Sequence, residues 1–171
     1  MELKTLIMLL PFAFTLHNFE EVLGMEKWTK SIPSYIHKPV TTRQFGIAVL
    51  LFSILGFIIT YTKIYFQTEK DYYFVITGFA GMIFLNVFLP HLLATILLRK
   101  YSPGIITGLF INLPLTVLIL NKMTHSQILS VKQLIVTIVI GGLIGVFLAF
   151  TFLKIGKRID ERYKKRTANT V

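Results

Sequence analysis

Four runs of this chain carry no charge and are long enough to cross a membrane. Residues 44–62 lie between Arg43 and Lys63, 72–98 between Asp71 and Arg99, 101–121 between Lys100 and Lys122, and 133–153 between Lys132 and Lys154. A helix rises about 1.5 Å per residue and a hydrocarbon core is about 30 Å thick, so roughly 20 residues make one crossing. In lipid every backbone polar group must be satisfied within the fold, which excludes an open sheet. Composition agrees: 54% of residues are hydrophobic and mean hydropathy is +0.68, too apolar for an ordinary soluble domain.

A fifth, shorter stretch is the more informative one. Only 15 uncharged residues separate Lys4 from Glu20. If this segment spans, its helix must run on through His17, Glu20 and Glu21. Ionisable groups are costly at that depth and normally face a cavity or another polar group. The sequence therefore predicts an all-α polytopic membrane bundle of five transmembrane helices, over approximately 3–23, 43–64, 72–98, 103–121 and 132–154. Residues 1–155 form the transmembrane domain and 156–171 a basic cytoplasmic tail. Gly24 is the expected stop of the first helix. The N-terminus looks like a signal peptide, but no small-x-small cleavage site follows, and it is read as a retained helix.

The net charge of +10 suggests nucleic acid until the charges are placed. Lys154, Lys157, Arg158, Arg162, Lys164, Lys165 and Arg166 cluster at the C-terminus. With five spans and a cytoplasmic C-terminus, these seven share a side with Lys27, Lys30, Lys38, Arg43, Arg99 and Lys100, making 13 basic residues. Lys4, Lys63, Lys70, Lys122 and Lys132 are the 5 on the other side. That split follows the positive-inside rule. It implies a multi-pass protein of the cell membrane with its N-terminus outside. The basic tail is an anionic-lipid signal rather than a nucleic-acid surface, because no folded basic domain accompanies it. There is no cysteine, so disulfide and thiolate chemistry are excluded.

Depth brings the polar residues into one layer. The first and third helices run inward, placing His17 roughly 9 Å and His91 roughly 10 Å from their inner ends. The fourth runs outward, with Asn112 roughly 12 Å from its inner start. Asn86 lies nearer the midplane. His17 and Glu21 are related as i, i+4 and share a helix face, a spacing that holds one metal in zincin helices. With His91 they form a two-histidine, one-carboxylate set suited to zinc or non-haem iron. Glu20 is then the candidate general base for a metal-bound water. Asn86 and Asn112 are candidate substrate-binding residues. Asn86 and His91 lie about 140° apart on a regular helix, so both reach one point only if Pro90 kinks the chain. The alternative places Glu20 and Glu21 in the headgroup region with Lys27 or Lys30 as counter-ions, and has His17 hydrogen-bond across a helix interface. Gly141, Gly145 and Ala149 form a small-residue stripe that serves internal packing or a homo-oligomer.

His17-Asn-Phe-Glu-Glu21, in a first transmembrane helix followed by four more, resembles the HXXEE-domain family of small bacterial membrane proteins. Asn86, His91 and Asn112 resemble that family's intramembrane polar positions, and the resemblance covers roughly residues 5–155. It implies the fold and the choice of residues, and it implies no reaction. From the residues, the leading expectation is a metal-dependent membrane enzyme acting on a lipid-like or hydrophobic substrate. The runner-up is a proton-coupled transporter or ligand-binding protein. A third is a non-catalytic accessory subunit. Phosphate-binding loops and nucleophile elbows are absent, so those chemistries find no support.

Overall fold

The computed structural model describes residues 1–63 and 68–168. Among these the chain is all helical, with five helices that are each long and apolar enough to cross a membrane. They are α1 (Leu3–Lys30), α2 (Thr42–Tyr61), α3 (Glu69–Leu98), α4 (Ile105–His125) and α5 (Val131–Ala168). Position 64, the expected end of α2, lies outside the described residues.

The helices close into a ring in which α1 packs on α2, α2 on α5, α5 on α3, α3 on α4 and α4 on α1. The main apolar core sits between α1, α3 and α4, around Leu6, Leu10, Ile76, Ile83, Ile119 and Met123. On the far side of the ring, α5 leaves most of its apolar surface outward, with Val139, Ile140, Leu143, Ile144, Val146 and Phe147 all exposed. A helix that is apolar all round and unburied by protein suits contact with lipid.

Glycines set the α3–α5 contact. A Cβ on Gly141 would overlap the carbonyl of Gly78, one on Gly145 would overlap Met82, and one on Gly81 would lie 2.8 Å from Ile138 Cα. The small-residue stripe of α5 is thus used inside the chain, where it lets two backbones approach closely.

The first helix corrects the expected boundary. Gly24 does not stop α1, which continues to Lys30. The missing side chain at Gly24 serves packing instead: a Cβ there would come within 2.8 Å of Pro103 Cγ. The extra turns hold Glu26, whose carboxylate accepts from Lys30 Nζ at 2.6 Å and from Thr42 N at 2.6 Å. It therefore caps the start of α2, where free N–H groups and the helix dipole favour an anion. At the other end of the chain, α5 runs unbroken to Ala168, the last described residue. Lys164 and Asp160, one turn apart, pair at 2.7 Å there. Asp160 also accepts from Thr41 Oγ1 at 3.0 Å, tying that extension to the start of α2.

Two spans are irregular. Within α3, Val87–Leu92 winds as a π-turn in which Leu89 leaves helical geometry (φ −124°, ψ 97°), followed by Pro90. Pro90 has no N–H to donate, and its ring cannot sit in an unbroken helix. Within α4, Gly108–Asn112 forms a second π-turn. The two irregular segments touch, and Val87 packs 3.6 Å from the position a Gly108 Cβ would take. Such turns are frequent at functional sites.

Candidate metal centre

The kink in α3 overcomes the separation that a straight helix would impose. Asn86 and His91, on either side of it, reach the same point: Asn86 Nδ2 lies 3.2 Å from His91 Nε2. From α1, His17 brings its own Nε2 to 3.1 Å from the same amide nitrogen. Glu21, one turn after His17, places Oε1 at 3.1 Å from His91 Nε2 and 3.8 Å from His17 Nε2. His17, Glu21 and His91 each offer a ligand atom within 4.8 Å of the others. All three are buried, with relative exposures of 0%, 8% and 1%.

Glu20 points elsewhere. Its carboxylate accepts the backbone N–H groups of Gly104, Ile106 and Thr107, the hydroxyl of Thr107, and the hydroxyl of Tyr101. Five donors leave no lone pair directed at the cluster, so the base role expected of Glu20 has no geometric support. The residue caps the N-terminus of α4, as Glu26 caps α2.

The cap also reaches the cluster through Thr107. The Thr107 hydroxyl has one proton, and Glu20 Oε2 takes it at 2.5 Å, because an ionised carboxylate only accepts. The Thr107 oxygen, 3.1 Å from His17 Nδ1, must then accept from that ring nitrogen. The network therefore assigns the proton of His17 to Nδ1 and leaves the Nε2 lone pair facing Glu21, His91 and Asn86. A carboxylate acting on a histidine in this way is the usual support of a metal ligand, fixing tautomer and ring orientation.

His91 is not satisfied within the cluster. Beside its Nε2 stand an amide N–H, which calls for a lone pair, and a carboxylate oxygen, which calls for a proton. No single tautomer serves both while Glu21 is ionised. Its Nδ1 is buried without a hydrogen-bond partner among the described residues.

Gly104 closes the site on the side of the Arg99–Gly104 connection. Its φ is +94°, a conformation that favours glycine. A Cβ there would lie 2.8 Å from Cε1 of His17, 2.8 Å from Cε1 of His91 and 3.0 Å from Cγ of Glu21. The backbone of Gly104 thus rests against all three residues at once.

Asn112 is fully buried on the π-turn of α4, but its amide makes no hydrogen bond to the cluster, and neither of its polar atoms has a partner among the described residues. Asn18, inside the His17–Glu21 segment, is structural: Nδ2 donates to Ser53 Oγ at 3.0 Å and Val49 O at 3.3 Å, fastening α1 to α2. Thr107 and Tyr101 carry no sequence signal of a role at this site. Pro103-Gly104 ahead of an apolar run marks a helix start, but nothing local shows that a carboxylate from another helix caps it.

A family model described as "Protein of unknown function with HXXEE motif" matches residues 8–119. The uncharacterized protein YrkK of Bacillus subtilis (strain 168) is 32% identical over 149 residues, covering 87% of this chain and 94% of that protein. No solved structure matches.

Proposed function

The chain belongs to the HXXEE family of proteins of unknown function, and within that frame we propose that it is a membrane enzyme built around a divalent metal held by His17, Glu21 and His91. The observation that carries the reading is the convergence of two imidazole Nε2 atoms and a carboxylate oxygen, from two helices, at a buried point. Zinc holds nitrogen and oxygen ligands at about 2.0–2.2 Å, so tetrahedral ligand atoms stand about 3.4 Å apart. The separations of 3.1 and 3.8 Å bracket that spacing. Zinc or non-haem iron suits the donor set. A cation also removes the conflict at His91, because it takes the lone pairs of that ring and of Glu21 together.

The metal would act as a Lewis acid. The protein's own part is to orient His17 through Thr107 and Glu20, and to exclude water with Gly104. The donors lie on membrane-spanning helices, so a substrate that reaches them is lipid-like or hydrophobic. Leu89 and Pro90, exposed at the α3 kink, mark the side from which it would approach. The basic end of the bundle, carrying the 31–41 and 99–104 connections, is read as cytoplasmic.

The proton-coupled carrier has an observation of its own. A proton placed on Glu21 and donated to His91 across 3.1 Å also resolves the conflict. Equilibrium dialysis of the detergent-purified protein against zinc separates the two. The metal reading expects one tight site per chain, absent in His17→Ala and His91→Ala. No binding by the wild type, together with pH-gradient-driven uptake in vesicles, would transfer the assignment to the carrier.

A further inference from the structure

The side-chain amide of Asn86 stands 3.1 Å from one imidazole Nε2 and 3.2 Å from the other, almost equidistant from the two histidines. It belongs to neither pair alone and faces both of the ring nitrogens that the proposed centre uses. Asn86 is half-buried whereas His17, Glu21 and His91 are buried. We propose that Asn86 is a fourth metal ligand, through its carbonyl oxygen Oδ1. This rests on the metal reading above.

Shape and proton count both favour this role. The two ends of an amide are close to isosteric, and rotation about the terminal torsion, which is broad and two-fold, exchanges them. Turned inward, Oδ1 takes the place of Nδ2, about 3.1–3.2 Å from both Nε2 atoms, close to the edge of a tetrahedron around a zinc-sized ion. The site becomes two imidazole nitrogens, one carboxylate oxygen and one amide oxygen, drawn from α1 and from both sides of the α3 kink. Without metal the same side chain turns Nδ2 inward and donates to the lone pair that Thr107 leaves on His17. Asn86 therefore serves both states, whereas an apolar residue would leave a buried lone pair unmatched in one and a ligand missing in the other. The mixed donor set favours a borderline divalent ion such as zinc over magnesium or calcium, which take oxygen ligands. A substrate must displace the amide oxygen or join as a fifth ligand.

Cobalt(II) substitution tests this, because visible absorption reports coordination number independently of turnover. The variants are Asn86→Asp, which offers only oxygen, and Asn86→Ala, which offers nothing. Elution as a single species and an unchanged melting temperature establish that each is folded. The proposal expects Asn86→Asp to bind cobalt at least as tightly as wild type, with the intense bands of four-coordination. It expects Asn86→Ala to bind about tenfold or more weakly, with altered bands. Wild-type affinity and spectrum in Asn86→Ala, or loss of cobalt in Asn86→Asp alone, would overturn it and mark Asn86 as an N–H donor while leaving the three-residue centre intact. Absence of cobalt from the wild type itself would overturn the metal reading and this inference with it.

Discussion

Gly104→Ala isolates the contact between the 99–104 connection and the proposed ligands. The new methyl faces two penalties. At φ +94° a side chain meets the steric cost of left-handed backbone, about 1–2 kcal/mol. It must also clear His17, His91 and Glu21, which stand at 2.8, 2.8 and 3.0 Å, and overpacking of this kind costs about 1–3 kcal/mol. Relief can come only from shifting the connection, which breaks the bond from Gly104 N to Glu20, or from shifting the ligands. Because all three obstructing atoms belong to candidate ligands, about half of that strain falls on metal affinity. Half of the combined strain is about 1–2.5 kcal/mol, roughly a five- to seventyfold loss. Zinc dialysis and thermal unfolding in the same detergent measure the two effects separately. Gly46→Ala is the control: its Cβ would meet only Val22 Cγ1, at 3.9 Å, and alanine inside a helix is favoured over glycine by about 1 kcal/mol. Wild-type zinc affinity and wild-type melting in Gly104→Ala would refute the reasoning.

Thr107→Val removes the hydroxyl that joins Glu20 to His17. Zinc affinity should fall about 10–100-fold, with Thr107→Ser close to wild type; equal affinity in all three would exclude the assigned tautomer. Burial, then its bond to Glu20, pushes the Tyr101 hydroxyl up from 10.0 to about 12. A raised folded value favours the protonated phenol, so this contribution is complete below pH 10 and is lost as the pH rises towards 12. Melting temperature against pH should show that alkaline loss in wild type, and Tyr101→Phe should lack that component; identical slopes would contradict it. Gly141→Ala would drive a methyl into the Gly78 carbonyl and separate α3 from α5. It should lower the melting temperature far more than Gly142→Ala, which meets only the flexible end of Leu85.

What could be read from sequence follows from which interactions are local. The five spans are visible because each later one is bounded by charges and the first is forced past His17. His17 and Glu21 share a face by helix period alone, and their depth alongside His91 follows from span direction. The structure shows that these three meet; their role as ligands is the proposal. The end of α1 was misplaced because Gly24 reads locally as a stop, whereas its purpose is contact with Pro103, 79 positions away in number. The capping contacts of Glu20 are hidden from the sequence for the same reason. Seen alone, a carboxylate beside a candidate ligand suggests a base, and only the placement of the α4 N-terminus shows that its oxygens are occupied. Asn86 was noticed as polar and deep, but its equal distance from two histidines depends on the irregular turn at Leu89.

X-ray absorption at the zinc edge of the loaded, detergent-purified protein reads the proposed ligands themselves. A metal held by His17, Glu21 and His91 should show a first shell of nitrogen and oxygen at about 2.0–2.2 Å, with outer-shell scattering from two imidazole rings that falls to one ring in His91→Ala. A spectrum with no imidazole scattering, or one unchanged by His91→Ala, would contradict it.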